Sequence, residues 1–221
     1  MTSREQGFLL LTGYLGDIYR KPLTIPQFRD LTARARGMEK PQQERDLNSR
    51  DLLQLGCSRS MAERIVKLLS QQEQLEWYVE LGRKNGCTPI TRVSEGYPDC
   101  LRRALGMEAP GVLWVKGNMD ILHTPAVSLV GSRDLQPENQ NFAWEAGRQA
   151  ALQGYTLVSG NARGADRVAQ DSCLEHGGKV ICIVADKLQE KEPHENMLCI
   201  SEEGFDLPFS SQRALQRNRI I

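Results

Sequence analysis

Two short segments of the 221-residue chain carry side chains that can do more than fold: Gly131-Ser132-Arg133 and Ser159-Gly160-Asn161-Ala162-Arg163-Gly164. Each combines glycine, a hydroxyl and an arginine. Glycine lets backbone N–H groups come close to a ligand. The Ser132 and Ser159 hydroxyls can donate, and Arg133 and Arg163 add planar, permanently charged donors suited to phosphate. Each segment is expected to run into a helix, whose first turn adds free N–H groups and the positive end of its dipole. The chemistry indicated is anion binding. Tight turns would explain the glycines alone, but not two arginines beside two helix starts. A dinucleotide fingerprint and a G-x-x-x-x-G-K-[ST] loop are both missing, so NAD binding and ATP hydrolysis are not indicated. The six cysteines form no C-x-x-C pair and His123, His176 and His194 have no partner spacing, so no metal site is expected. The cysteines are expected to be reduced and mostly buried. Asp166 and Glu202 are the carboxylates placed where they could act, and Asp166 fits better as a helix cap.

The elements around these segments follow from pattern. Ala126–Val130 reads as a short buried strand. Pro137 opens a helix to about Gln153, which Gly154 ends. Tyr155–Val158 is a second strand, a helix follows from about Ala165 to Glu175, Lys179–Ala185 is a third strand, and Met197–Ser201 is a fourth. Strands alternating with helices over short links predict right-handed crossovers and an α/β, Rossmann-like, mostly parallel sheet with helices on both faces. Ligands of such sheets sit at the carboxyl ends of the strands. Pro89, Gly96 and Pro98 mark a boundary, giving residues 1–90 as a small all-α domain and 91–221 as the sheet domain. In the first part, Phe8–Tyr19 reads as a helix with Phe8, Leu11, Leu15 and Ile18 on one face. Thr24 caps a helix carrying Pro26 and Gln27 and ending at Gly37. Asn48 or Ser49 caps a short helix stopped by Gly56. Ser60 caps a long one with Ile65, Leu68, Leu69, Trp77 and Leu81 as its stripe. Leu52–Ile65 resembles a helix-hairpin-helix whose second glycine has become Ser58; it is expected to be a packing hairpin that has lost the close backbone approach needed for phosphate.

Composition sets limits. Lys plus Arg and Asp plus Glu each number 28, so the formal charge is zero. That excludes a bulk polycation that coats nucleic acid through net charge. With 40% hydrophobic residues and 25% charged, the chain is in the globular range. Residues 1–95 carry 15 basic and 12 acidic side chains, net +3; residues 96–221 carry 13 and 16, net −3. No apolar run approaches the roughly 18 residues of a membrane span.

Several further motifs stand in a recognisable order: Tyr97-Pro98-Asp99-Cys100-Leu101, then Ala109-Pro110-Gly111 through Lys116-Gly117-Asn118, Val127 to Arg133, Ser159 to Asp166, and Arg217-Asn218-Arg219-Ile220-Ile221. Across residues 95–221 the chain resembles the DprA/Smf family of DNA-processing proteins, and the helical leader is similar to that family's sterile-alpha-motif-like part. The resemblance implies a cytoplasmic single-stranded DNA-binding protein with no catalytic step and no cofactor. Such proteins protect incoming DNA in natural transformation, help load the RecA recombinase and work as homodimers. Carried over residue by residue, it places Gly131, Ser132 and Arg133 on one side of the DNA pocket and Ser159, Gly160, Arg163 and Gly164 opposite. Lys179 matches a basic position, and Arg217 and Arg219 belong to the terminal motif. A few local cations can hold a phosphate backbone even at zero net charge.

There are departures. Asn161 stands where the family usually has Leu, Met or Gly, and Ala165 where it has Ile or Val. The six acids between Asp186 and Glu203 are expected to form a solvated loop that repels DNA on that side. The last residues, expected as one helix with Leu215 and Ile220 on one side, lack a stop signal, so the chain is expected to be a fragment of a longer protein. The alternative function is a nucleotide-derivative sensor of the same superfamily. A phosphoribohydrolase is a further one, although its Pro-Gly-Gly-x-Gly-Thr loop is absent. Trp114, Phe142, Trp144 and Phe209 are available to stack on bases.

Overall fold

The computed structural model describes residues 1–36 and 47–221. In chain order the elements are α1 (Ser3–Thr12), α2 (Ile25–Ala35), α3 (Ser49–Gln54), α4 (Arg59–Leu69), α5 (Gln72–Lys84), β1 (Thr88–Thr91), α6 (Asp99–Leu105), β2 (Val112–Gly117), β3 (Ala126–Ser128), α7 (Pro137–Leu152), β4 (Thr156–Ser159), α8 (Ala165–Glu175), β5 (Lys179–Val184), β6 (Met197–Glu202) and α9 (Ser211–Arg217).

Capping decides the helical leader. Thr2 and Glu5 form a capping box, so α1 begins before Phe8. It ends at Gly13 rather than Tyr19, because Leu15 (φ 52°) and Gly16 (φ 78°) turn left-handed. Ile18, expected on its buried face, is exposed. The Thr24–Gln27 box and Pro26 start α2 as expected; its expected end at Gly37 lies outside the described residues. Asn48 caps α3 with Asp51 as its partner. The expected long helix is two, α4 and α5, interrupted at Ser70–Gln71. The first cap is Ser58, not Ser60: its hydroxyl accepts from the Met61 N–H. Within the hairpin the Arg34 guanidinium donates to the Gly56 carbonyl at 2.7 Å. Trp77, expected in the apolar stripe, is exposed. Its neighbour Tyr78 is buried instead, with ring centroids 5.2 Å from Trp114 and 4.7 Å from Phe205.

The sheet has six strands in the order β1-β2-β6-β5-β4-β3. β3, β4, β5 and β6 run parallel, and β2 pairs antiparallel with both β1 and β6. Side chains alternate along β5. Val180, Cys182 and Val184 join the core that includes Leu9, Leu75, Tyr78, Ala150 and Cys173. Ile181 and Ile183 join the opposite core with Tyr97, Ile121, Leu198 and Ile220. α1, α5, α7 and α8 therefore cover one face, while α6 and the terminal turn cover the other. The parallel strands step in one direction, so right-handed crossovers put α7 and α8 on the same face. They approach so closely that a Cβ on Gly147 would run into the Ala169 carbonyl.

Three further expectations change. β3 is an exposed edge strand rather than a buried one: Ala126, Val127 and Ser128 all face solvent, because no strand lies beyond it among the described residues. The acidic stretch 186–203 is only partly a loop: it contains a short turn at Leu188–Glu190, and it ends in β6, the fourth strand expected at Met197–Ser201. At the end of the chain, α9 passes into a further turn at Asn218–Ile220. Ile220 is buried there and Leu215 exposed, so they do not share a side. All six cysteines are unpaired; Cys87, Cys173, Cys182 and Cys199 are buried. Among the described residues, no helix is long and apolar enough to cross a membrane, and no three His, Cys, Asp or Glu side chains gather as metal ligands.

Candidate functional site

The carboxyl ends of β4 and β5 open into a cavity of about 310 Å³. Arg133 and Arg163 stand at its rim with Phe209, a residue 56% exposed. Asn161, Asp186 and Arg217 form the rest of the wall together with Gly160, Ala162 and Ala185. Two of the sequence's cations thus meet, as the paired loops imply. The Arg163 guanidinium donates to Asp134 at 2.6 Å, and both side chains are largely exposed. A surface pair of this kind contributes at most about 1 kcal/mol, so a phosphate can displace it.

The glycines serve a different purpose from the expected one. Gly164 has φ 88°, and a Cβ there would strike the Ser132 and Arg133 carbonyls. A Cβ on Gly131 would lie 2.5 Å from that of Ala165. These residues dock the two loops against one another and against the start of α8. Nor does the backbone of the second loop offer all its N–H groups to a ligand. The buried Asp166 carboxylate accepts from Gly160 N at 3.0 Å and from Ala162 N at 3.3 Å. Asp166 therefore anchors the loop rather than capping the helix: the N-cap of α8 is Gly164, and among the described residues no side chain caps it. Ser159 is buried beneath the cavity, where its hydroxyl accepts from Gln170 at 2.7 Å. Ser132 turns back on its own loop, donating to the Asp134 carbonyl at 2.8 Å. What remains to meet an anion is chiefly side-chain charge.

The other expected cations separate. Arg217, 7% exposed, lies under the cavity, donating to the carbonyls of Gly160 and, at 2.6 Å, Ile183. Burial pulls its pKa below the ordinary arginine value. Arg219 turns away toward the Glu108 carbonyl and the Glu202 carboxylate. Burial pushes Glu202 up to about 7 even though Arg219 acts to lower it. Lys179 begins β5 and so lies at its amino end, about 16 Å of strand from the cavity. The structure does not bring Lys179 or Arg219 to the mouth. Asp186 and Asn161 are wall residues that pattern did not single out as ligand contacts, whereas Phe209 is one of the four aromatics offered for stacking. Asp186 had a usable signal, since it follows a parallel strand's carboxyl end. Of the other aromatics, Trp114 is in the core and Phe142 and Trp144 lie on α7.

Comparison with known proteins agrees with this architecture. The family model for DNA recombination-mediator protein A matches residues 88–221. The chain is 35% identical over 89 residues to DNA processing protein DprA of Streptococcus pneumoniae, covering 40% of this chain and 31% of that protein. It is 30% identical over 139 residues to protein Smf of Escherichia coli, covering 58% and 37%. The matches therefore span about a third of those relatives' own length. The crystal structure of S. pneumoniae DprA superposes with a TM-score of 0.71 at 22% identity, over 100% of this chain and 75% of that one. A Helicobacter pylori DNA processing protein A structure, described for its single-stranded DNA binding mode, superposes at 0.50 with 23% identity, covering 61% and 64%. Since the family model accounts for the whole parallel sheet and both loops of the mouth, the chain belongs to the DNA recombination-mediator protein A (DprA/Smf) family.

Proposed function

We propose that the chain binds single-stranded DNA at this mouth, with Arg133 and Arg163 on the phosphate backbone. The observation that carries the reading is the meeting of both loop arginines and an exposed aromatic ring at the carboxyl ends of parallel strands. That combination of backbone cations and a stacking surface suits a strand whose bases are unpaired. The site needs no metal or cofactor for this task. The protein acts by holding DNA, without a catalytic step. Its cellular role is to protect incoming DNA and help load a RecA recombinase in the cytoplasm during natural transformation, and it works as a homodimer. Family membership and the relatives' names support that role.

Fluorescence anisotropy of labelled oligo-dT over a salt series tests the DNA step. Arg133→Ala is expected to weaken binding strongly and to flatten the logarithmic salt dependence by about 0.7. Duplex should bind poorly. No binding by the folded protein at low salt would overturn the reading. Thermal stabilisation by mononucleotides would then favour the small-ligand alternative.

A further inference from the structure

The cavity wall holds a carboxylate that an anion site has no use for, and an amide whose oxygen has no partner among the described residues. Asp186 is a carboxylate, and carboxylates only accept hydrogen bonds when ionised. Facing a phosphate, it would repel it. Lys191 holds its Oδ2 at 2.6 Å, while Oδ1 has no hydrogen-bond partner among the described residues. Asn161 is the second group. It is a non-glycine residue at φ 55°, and its Oδ1 is buried without a partner. A buried unpaired acceptor is costly unless something fills it. Both residues line one cavity with Arg133 and Phe209.

From this we infer that Asp186, helped by Asn161, reads the hydrogen-bonding edge of an unpaired base and favours guanine. The inference rests on the strand-binding reading above. Guanine presents two adjacent donors on its pairing edge, the ring N1–H and the exocyclic amino group, which match a carboxylate. Thymine presents one N–H between two carbonyls, which two acceptors would repel. Adenine and cytosine, each with one amino donor beside a ring acceptor, fall between. In duplex DNA this edge is already paired, so a site that reads it excludes duplex. Arg133 would hold the adjoining phosphate and Lys191 would hold Asp186 in place.

The test compares three labelled oligonucleotides: oligo-dT, the same strand with isolated guanines, and that strand with inosine in place of guanine. Inosine keeps the ring N1–H but lacks the amino group. The guanine strand is expected to bind roughly tenfold tighter than oligo-dT, with inosine between. Asp186→Asn should remove most of that preference, bringing the guanine strand down toward oligo-dT. Equal binding of all three strands by the unaltered protein would overturn the inference and leave strand binding intact. So would a guanine preference that survives Asp186→Asn. Failure to bind any strand would instead refute the strand-binding reading, and this inference with it. The inosine comparison needs no variant, so a misfolded substitution cannot mask the answer.

Discussion

Replacing Arg217 by methionine separates two roles that a terminal-motif arginine could have. The substitution keeps a long apolar stem but deletes the donors that meet the Gly160 and Ile183 carbonyls. A buried acceptor left without its donor costs about 1–3 kcal/mol. Two of them set a ceiling of about 6 kcal/mol, and relief of the buried guanidinium's desolvation, seen in its lowered pKa, returns part of that. A net loss of about 2–3 kcal/mol is expected, which for a chain of this size lowers Tm by about 5–10 °C. Circular dichroism melting measures this. Anisotropy over a salt series, run where the variant remains folded, measures the other half. If Arg217 supports the cavity floor rather than contacting phosphate, the slope stays at that of the unaltered protein, whereas Arg133→Ala reduces it by about 0.7. A variant that melts with the unaltered protein yet loses as much slope as Arg133→Ala would refute the reasoning. It would mean that Arg217 leaves those carbonyls to bind DNA.

Three further outcomes follow from the same structure. Asp166→Ala removes the acceptor of two loop N–H groups and should cost about 2–4 kcal/mol in urea unfolding, with weaker oligonucleotide binding because the 160–164 loop loses its anchor. Gly147→Ala gains about 1 kcal/mol of helix propensity but drives a methyl group into the Ala169 carbonyl, so a net destabilisation of about 1–2 kcal/mol is expected from the urea midpoint. Glu202, with its pKa raised from 4.5 to about 7, binds its proton more tightly folded than unfolded. Its contribution is therefore complete below about 4.5 and disappears as the pH rises through 7. Urea midpoints should fall between about pH 5 and about pH 8, and Glu202→Gln should reduce that fall.

Much of this protein is local, and local features are legible in a linear chain. The capping boxes at Thr24 and Asn48, the starts of α7 and α8 and the four parallel strands depend on residues within a few positions of one another. Their alternation dictates a sheet whose carboxyl ends gather the loops, so Arg133 and Arg163 could be placed at one mouth before any coordinates. The family motifs were legible for the same reason. Contacts between distant segments were not. β3 carries a strand pattern, yet being at the edge exposes it, and edge position is a property of the whole sheet. Arg217 and Arg219 stand two residues apart in one motif, but the turn at Asn218–Ile220 sends one beneath the cavity and the other to Glu202. Lys179 has the right charge at the wrong end of its strand. The glycines of the mouth announce unusual backbone, but only packing shows that carbonyls and a neighbouring methyl group, rather than a ligand, occupy the space a side chain would need. Charge, periodicity and caps act over a turn or two of chain. Which donor meets which acceptor is settled by segments far apart in sequence, and that pairing decides which cations stay free at the mouth.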